Sequence, residues 1–370
     1  MAEPEKTILK SSDYALVQWS RRLAPLLRAL GELEADLLGR RLQAVPIDRP
    51  VFVTGLARAG TTVMLTVLSQ AEGVATHRYR DFPFLFAPVV WNWFQDRMGG
   101  GAGPAVERPH RDRIHITKES AEAFEEPLWQ AFFPWLHDPG RCHLLEPETR
   151  AAAFEECFRS HLRKILWLRG GRRYVSKGNY NVARIGYLAR LFPDARFVVP
   201  VREPLAHVHS LARQHALFRR YAAEDPRVPE YLAAAGHYEF GPQRRPINLY
   251  PGRVGEIEAA WAAGDDYRGY ARQWRQVYAH VDRLRAQAPE RIHVVRYEDA
   301  CARPQETVQQ LLRFCALEDQ AGRVAAAAGS LSAPPERATL EPRAAQAVWS
   351  ETAAVAERFG YEAPRIARAA

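Results

Sequence analysis

Residues 54–62 read Thr-Gly-Leu-Ala-Arg-Ala-Gly-Thr-Thr, directly after the apolar run Val51-Phe52-Val53 and before an apolar stretch at 63–68. A strand, a Gly-x-x-x-x-Gly turn and a helix, in that order, gather backbone N–H groups at a helix N-terminus. Inward-facing amides and the helix dipole both favour an anion there, phosphate above all. Gly55 permits the turn, Gly60 lets the backbone approach a ligand closely, and Thr61 and Thr62 add hydroxyl donors. A nucleoside-triphosphate loop carries Lys-Ser/Thr after its second glycine, the hydroxyl holding Mg²⁺. Here Thr61 stands where that lysine would be, and the cation, Arg58, precedes the glycine. The pattern predicts a phosphate-bearing ligand gripped by arginine and backbone without a metal.

Three further segments could serve the same ligand. In Val199-Pro200-Val201-Arg202-Glu203-Pro204, Arg202 leaves the end of an apolar strand, and Ser210 lies two turns into the helix that follows. One guanidinium and one hydroxyl can thus converge on a second phosphate. Arg296-Tyr297-Glu298-Asp299 ends a later strand, and Tyr174-Val175-Ser176-Lys177 presents a lysine at a strand end.

Taken together these segments resemble the sulfotransferase family, especially its bacterial and protein-tyrosine branches, which use an Arg–small–Gly-Thr-Thr loop. The resemblance covers roughly residues 48–82 and 172–318. It implies a P-loop-type α/β fold and a transferase of sulfur-containing groups. The donor would be 3′-phosphoadenylyl sulfate, and the acceptor a hydroxyl, or an amine, on a carbohydrate, lipid or small metabolite. Arg58, Ala59, Gly60, Thr61 and Thr62 would hold the 5′-phosphosulfate, Arg202 and Ser210 the 3′-phosphate, and Tyr297 the nucleotide. Lys177 would neutralise the sulfuryl oxygens, and Arg58 the charge on the leaving group. No Arg-Lys-Gly loop like that of cytosolic animal enzymes follows in the carboxy-terminal third. A P-loop nucleotide kinase and a non-catalytic nucleotide-binding module are the alternative readings.

The acceptor's proton needs a base. Animal small-molecule enzymes of the family place a histidine two residues after the lysine; that position is Asn179 here, which cannot act. Other branches use a glutamate after the second strand, and Asp81 falls at or near that place. Asp81 is therefore the expected base, with His77 and Glu125 or Glu126 as alternatives.

The elements that must position these residues alternate in kind. Strands are expected at 51–53, 74–76, 174–176, 196–201 and 292–296, and helices at 118–133, 148–168, 182–191, 205–218, 257–286 and 304–314, which predicts a parallel sheet flanked by helices. Ahead of this domain (48–370) lies a helical extension, residues 1–47. Its Leu16, Trp19, Leu23, Leu26, Leu30, Leu33 and Leu37 alternate steps of three and four, the spacing of a helical seam. That seam suits either a helix pair packed on its own domain or a homodimer, and Pro25 breaks it into two pieces. Residues 98–109 read as a Gly/Pro-rich surface loop and 219–253 as an insertion without a period.

The net charge of +8 comes mostly from arginines dispersed among acids, not from a basic stripe, so nucleic acid is not expected as a partner. No apolar run approaches the roughly 20 residues a membrane span requires. The N-terminus lacks a signal-peptide pattern, and Cys142, Cys157, Cys301 and Cys315 have no metal-site or disulfide spacing. These features predict a cytoplasmic enzyme.

Overall fold

A computed structural model describes residues 9–99, 105–107, 115–250, 252–331 and 340–364. Its main sheet contains β1 (Val51–Val53), β2 (Val74–Ala75), β5 (Arg173–Lys177), β6 (Arg196–Val201) and β7 (Ile292–Arg296). The spatial order is β2-β5-β1-β6-β7, and every neighbouring pair is parallel. A separate antiparallel pair joins β3 (Val106–Glu107) to β4 (His115–Ile116). The described part of the expected 98–109 loop thus includes one strand of a small hairpin; 100–104 and 108–109 lie outside the described residues.

β1 and β5 are buried along their whole length, as strands covered on both faces must be. Alternation divides β1 between two cores. Phe52 packs with Tyr174, Phe197, Phe154, Phe158 and Trp274 on one face, while Val51 and Val53 join Met64, Leu65, Val198 and Leu311 on the other. The chain runs from β1 to the far edge strand β2 and returns through β5 to β1's side, whereas β6 and β7 extend the sheet the other way. The loop after β1 therefore stands at the point where strand order reverses, the place open α/β sheets reserve for ligands.

The expected helix at 118–133 forms only over Glu126–Phe132, since residues 118–122 instead make backbone hydrogen bonds with residues 77–80, just beyond β2. The piece expected at 182–191 is a 3₁₀ turn, Asn179–Ala183, followed by a helix at Ile185–Leu191. The expected insertion continues the helix Pro204–Glu224, then forms Arg227–Ala234 and a coil.

The amino-terminal helices Ser11–Arg22 and Ala24–Gln43 pack by a face offset from the leucine seam. Leu27, Gly31, Glu34 and Leu42 turn inward. Gly31 is required because a Cβ there would lie 2.5 Å from the Phe86 carbonyl oxygen. Lys164 reaches the same carbonyl and pairs with buried Glu34 at 3.4 Å. Trp19, Leu26, Leu33 and Leu37 are left exposed.

Candidate active site

The β1 loop is shaped by three residues with positive φ. Gly55 (φ 141°) and Gly60 (φ 105°) take conformations that suit glycine. Arg58 holds φ 69°, uncommon for a residue with a side chain. Such strain persists only where the surroundings over-determine it, and it clusters at ligand-binding loops. The helix Thr61–Leu68 begins directly at Gly60, with no side chain capping its first N–H groups. The first-turn amides of a helix lie outside its own i→i−4 ladder, so this end of the helix follows directly on the loop.

Around this loop the structure gathers the residues expected to serve the nucleotide. Arg58 Nε donates to Ser210 Oγ at 3.3 Å, and Arg202 Nη1 donates to the Arg58 carbonyl at 3.4 Å. The Arg202 guanidinium lies 5.1 Å from the Tyr297 ring centroid. That ring closes over Gly60 so tightly that a Cβ there would sit 2.8 Å from its Cδ2. Burial drives His207 down to about pH 3 in its titration, so the ring is neutral and its Nε2 donates to the Ala57 carbonyl at 2.8 Å. Helix Pro204–Glu224 is thereby fastened to the loop. Glu298 accepts from the Glu203 amide at 2.9 Å and from Tyr361 at 2.8 Å, so the carboxy-terminal segment braces the same corner.

On the other side of the loop, Thr54 Oγ1 donates to the Gly178 carbonyl at 2.8 Å, and Thr61 Oγ1 to Asn179 Oδ1 at 3.2 Å. Lys177, at the end of β5, is 3.9 Å from Glu122, which also accepts from the Tyr79 hydroxyl. Asn179 Nδ2 donates to Glu239 at 2.9 Å. His237 Nδ1 stands 3.6 Å from the other oxygen of Glu239. Sequence reasoning singled out none of Glu122, Glu239 or His237. Glu122 opens the Glu-Ala-Phe-Glu-Glu stretch whose later glutamates were selected. The other two sit in the insertion, where no motif marks them.

Asp81, the expected base, is enclosed. It is 0% exposed; Arg169 and Asn92 donate to Oδ1, the latter at 2.9 Å, and the Arg78 amide to Oδ2 at 2.8 Å. A fully buried carboxylate engaged by three donors is closed to an acceptor arriving from solvent in this structure. The alternatives fare no better. His77 is stacked on His161 with centroids 4.9 Å apart, and burial lowers it to about 4. Glu125 is buried, raised by desolvation, and accepts from Tyr174 and Asn181. Burial also pushes Glu126 up, but Arg184 and His137 outweigh it and hold the carboxyl at about 2. All four are engaged by neighbouring side chains in this structure.

Among the described residues no group of three or more His, Cys, Asp or Glu side chains is arranged to hold a metal ion, and no helix is long and apolar enough to cross a membrane. A cavity of about 310 Å³ lies at the opposite end of the sheet, lined by residues such as Ile185, Phe197, Leu284 and Ile292.

The described geometry is that of an α/β protein with an arginine-bearing glycine loop at the switch point of a parallel sheet. A model of the sulfotransferase family matches residues 50–254 and 254–321, and the chain belongs to that family. Its structure is similar to that of the sulfotransferase STF9 from Mycobacterium avium, at 16% identity and a TM-score of 0.51, covering 98% of this chain and 99% of that one. STF1 from Mycobacterium tuberculosis H37Rv aligns at 18% identity and a TM-score of 0.46, over 96% and 87% of the two chains. Comparison with curated protein sequences gave no match.

Proposed function

We propose that this sulfotransferase uses 3′-phosphoadenylyl sulfate as donor and moves its sulfuryl group to a hydroxyl, or less readily an amine, of a carbohydrate, lipid or small metabolite. The observation that carries this reading is the meeting of Arg58, Ser210, Arg202 and Tyr297 around Gly60. Two arginines within one hydrogen-bonded corner suit a ligand with two separated phosphates. Thr61 in place of a lysine speaks against a nucleoside triphosphate.

In the proposed reaction the acceptor oxygen attacks sulfur in line. The bond from sulfur to the bridging oxygen breaks, and its electron pair leaves on the 5′-phosphate. Arg58 and the amides at the start of helix Thr61–Leu68 meet that growing negative charge, the kind of stabilisation that counts most in group transfers of this type. Lys177 faces the sulfuryl oxygens, with Glu122 holding its ammonium in place. Arg202 and Ser210 take the 3′-phosphate, and Tyr297 covers the loop and packs on the nucleotide. No metal is assigned a part.

The four cysteines are free thiols, which suits a reducing cytoplasm. We also propose a homodimer along the exposed leucine seam. Trp19, Leu26, Leu33 and Leu37 are the exposed residues that another helix would cover.

The test is calorimetric titration with adenosine 3′,5′-bisphosphate and, separately, with ATP and Mg²⁺. Tight binding of the bisphosphate alone supports the reading; tight, Mg²⁺-dependent binding of ATP alone would replace it with the kinase.

A further inference from the structure

With Asp81 sealed, a different candidate for the acceptor side is linked to the loop through Glu239 and Asn179. His237 lies in the insertion, immediately after Gly236, whose φ of 77° and missing Cβ are both required, since a Cβ would meet Glu126 Cγ at 2.6 Å. The residue after it is fixed as well. The Tyr238 amide donates to the Tyr180 hydroxyl at 2.9 Å, and its carbonyl accepts from the Arg245 amide at 2.8 Å. His237 is thus a partly exposed ring, 45% accessible, on an anchored piece of backbone.

Its Nδ1 faces Glu239, which is held from the far side by Asn179, which in turn accepts from Thr61 of the phosphate loop. The Tyr270 hydroxyl donates to the Glu239 carbonyl at 3.1 Å and fixes that residue's backbone. A carboxylate facing Nδ1 favours the neutral tautomer with its proton on that nitrogen, which leaves the Nε2 lone pair for an acceptor. This is the base-plus-orienter arrangement that proton abstraction needs. Glu122 is less suited to the task, because Lys177, Tyr79 and the Ala123 amide already engage its carboxylate.

We propose that His237, oriented by Glu239, accepts the proton of the acceptor as its oxygen attacks sulfur. The proposal rests on the sulfuryl-transfer reading above. The O–H bond of the acceptor breaks, the O–S bond forms, the proton ends on Nε2 of His237, and the electron pair of the old S–O bond leaves on adenosine 3′,5′-bisphosphate. Glu239 and Asn179 are positioning residues.

The charges around the ring favour this role. Partial burial and Lys177 pull its titration down, while Glu239 and, more weakly, Glu122 push it up, and the net shift is upward from 6.5. Burial likewise works against ionised Glu239, yet His237 and Asn179 hold it at about 2. The dyad therefore carries its carboxylate anion throughout the working range, and the imidazole loses its proton as pH rises through a raised value. Turnover should rise with pH over that interval.

The experiment follows release of adenosine 3′,5′-bisphosphate from 3′-phosphoadenylyl sulfate under single-turnover conditions, with water as the acceptor, across pH 5–9. His237→Asn should slow release by about 10²–10⁴-fold and abolish the acid limb, with bisphosphate affinity within about twofold of wild type. Glu239→Gln should move the acid limb to lower pH, and Glu239→Asp should restore it in part, a pattern that simple loss of packing would not give. NMR titration of the ring in the unmutated protein should give a midpoint above 6.5. If His237→Asn keeps wild-type rates and the acid limb while Lys177→Ala abolishes release, His237 is not the base and sulfuryl transfer stands. If the wild type neither binds the bisphosphate nor releases it, the underlying reading falls and the proposal with it.

Discussion

Replacing Gly60 by alanine probes the corner where loop, nucleotide residues and backbone strain meet. At φ 105° an alanine occupies a region that L residues rarely enter, and its Cβ would stand 2.8 Å and 3.1 Å from Cδ2 and Cε2 of Tyr297. Conformations of this kind cost about 1–3 kcal/mol each, and the ring must also move. Displacing Tyr297 disturbs its packing on Arg202. If the whole cost is felt at the site, affinity for adenosine 3′,5′-bisphosphate falls roughly five- to 150-fold, at 1.4 kcal/mol per tenfold. Calorimetric titration reads this directly. Gly264→Ala is the control, because its φ is 78° but nothing lies within 4 Å of the new Cβ; it should cost stability without changing affinity. A double-mutant cycle with Tyr297→Ala separates strain from collision. Removing the ring should make the alanine at position 60 less harmful than in the single variant. Wild-type affinity in Gly60→Ala, or strict additivity in the cycle, would refute the placement of Tyr297 over the loop.

Arg202→Ala should erode the preference for 3′-phosphoadenylyl sulfate over adenylyl sulfate by roughly ten- to a hundredfold, the worth of charge-assisted bonds to a phosphate, as measured by competition binding. Asp81→Asn should destabilise the fold by about 3–5 kcal/mol in denaturant titration, because it leaves Arg169 buried without its anion, while bisphosphate affinity per folded molecule stays unchanged. Acidification should destabilise the protein between pH 6.5 and about 4, followed by thermal unfolding: His77, His143 and His280 stay neutral to about 4 in the fold, whereas the unfolded chain protonates each near 6.5. Leu26→Glu with Leu33→Glu should turn a dimer into a folded monomer by sedimentation velocity; a monomeric wild type would remove the dimer from the account.

What the sequence made legible follows from how each feature is built. The phosphate loop depends on glycine's access to positive φ and on the strand-turn-helix order, and both are local. Arg202 and Ser210 share one strand-to-helix junction, so spacing alone predicts their convergence. The enclosure of Asp81 was not legible, because counting residues locates a strand end without revealing which way a single 3₁₀ turn, Tyr79–Asp81, swings its carboxylate. The decisive partner, Arg169, is 88 residues away. Glu239 and His237 were hidden for a similar reason. Their link to the loop runs through Asn179, 60 residues distant from Glu239, and the insertion has no periodic pattern to orient them. The leucine seam was correctly periodic, but the period cannot choose between faces. Gly31 and the Glu34–Lys164 pair anchor a neighbouring face and leave the seam outside.

The central claim is that an acceptor leaves this protein carrying the sulfuryl group of 3′-phosphoadenylyl sulfate. The direct measurement is mass spectrometry of small molecules and glycans from a native extract incubated with the purified protein and ³⁴S-labelled donor, with Lys177→Ala as the blank. The account predicts at least one hydroxylated compound that gains a labelled sulfuryl group with wild-type protein, in step with bisphosphate release, and that gains none with the variant. Label appearing only as inorganic sulfate, or equal labelling with Lys177→Ala, would contradict it.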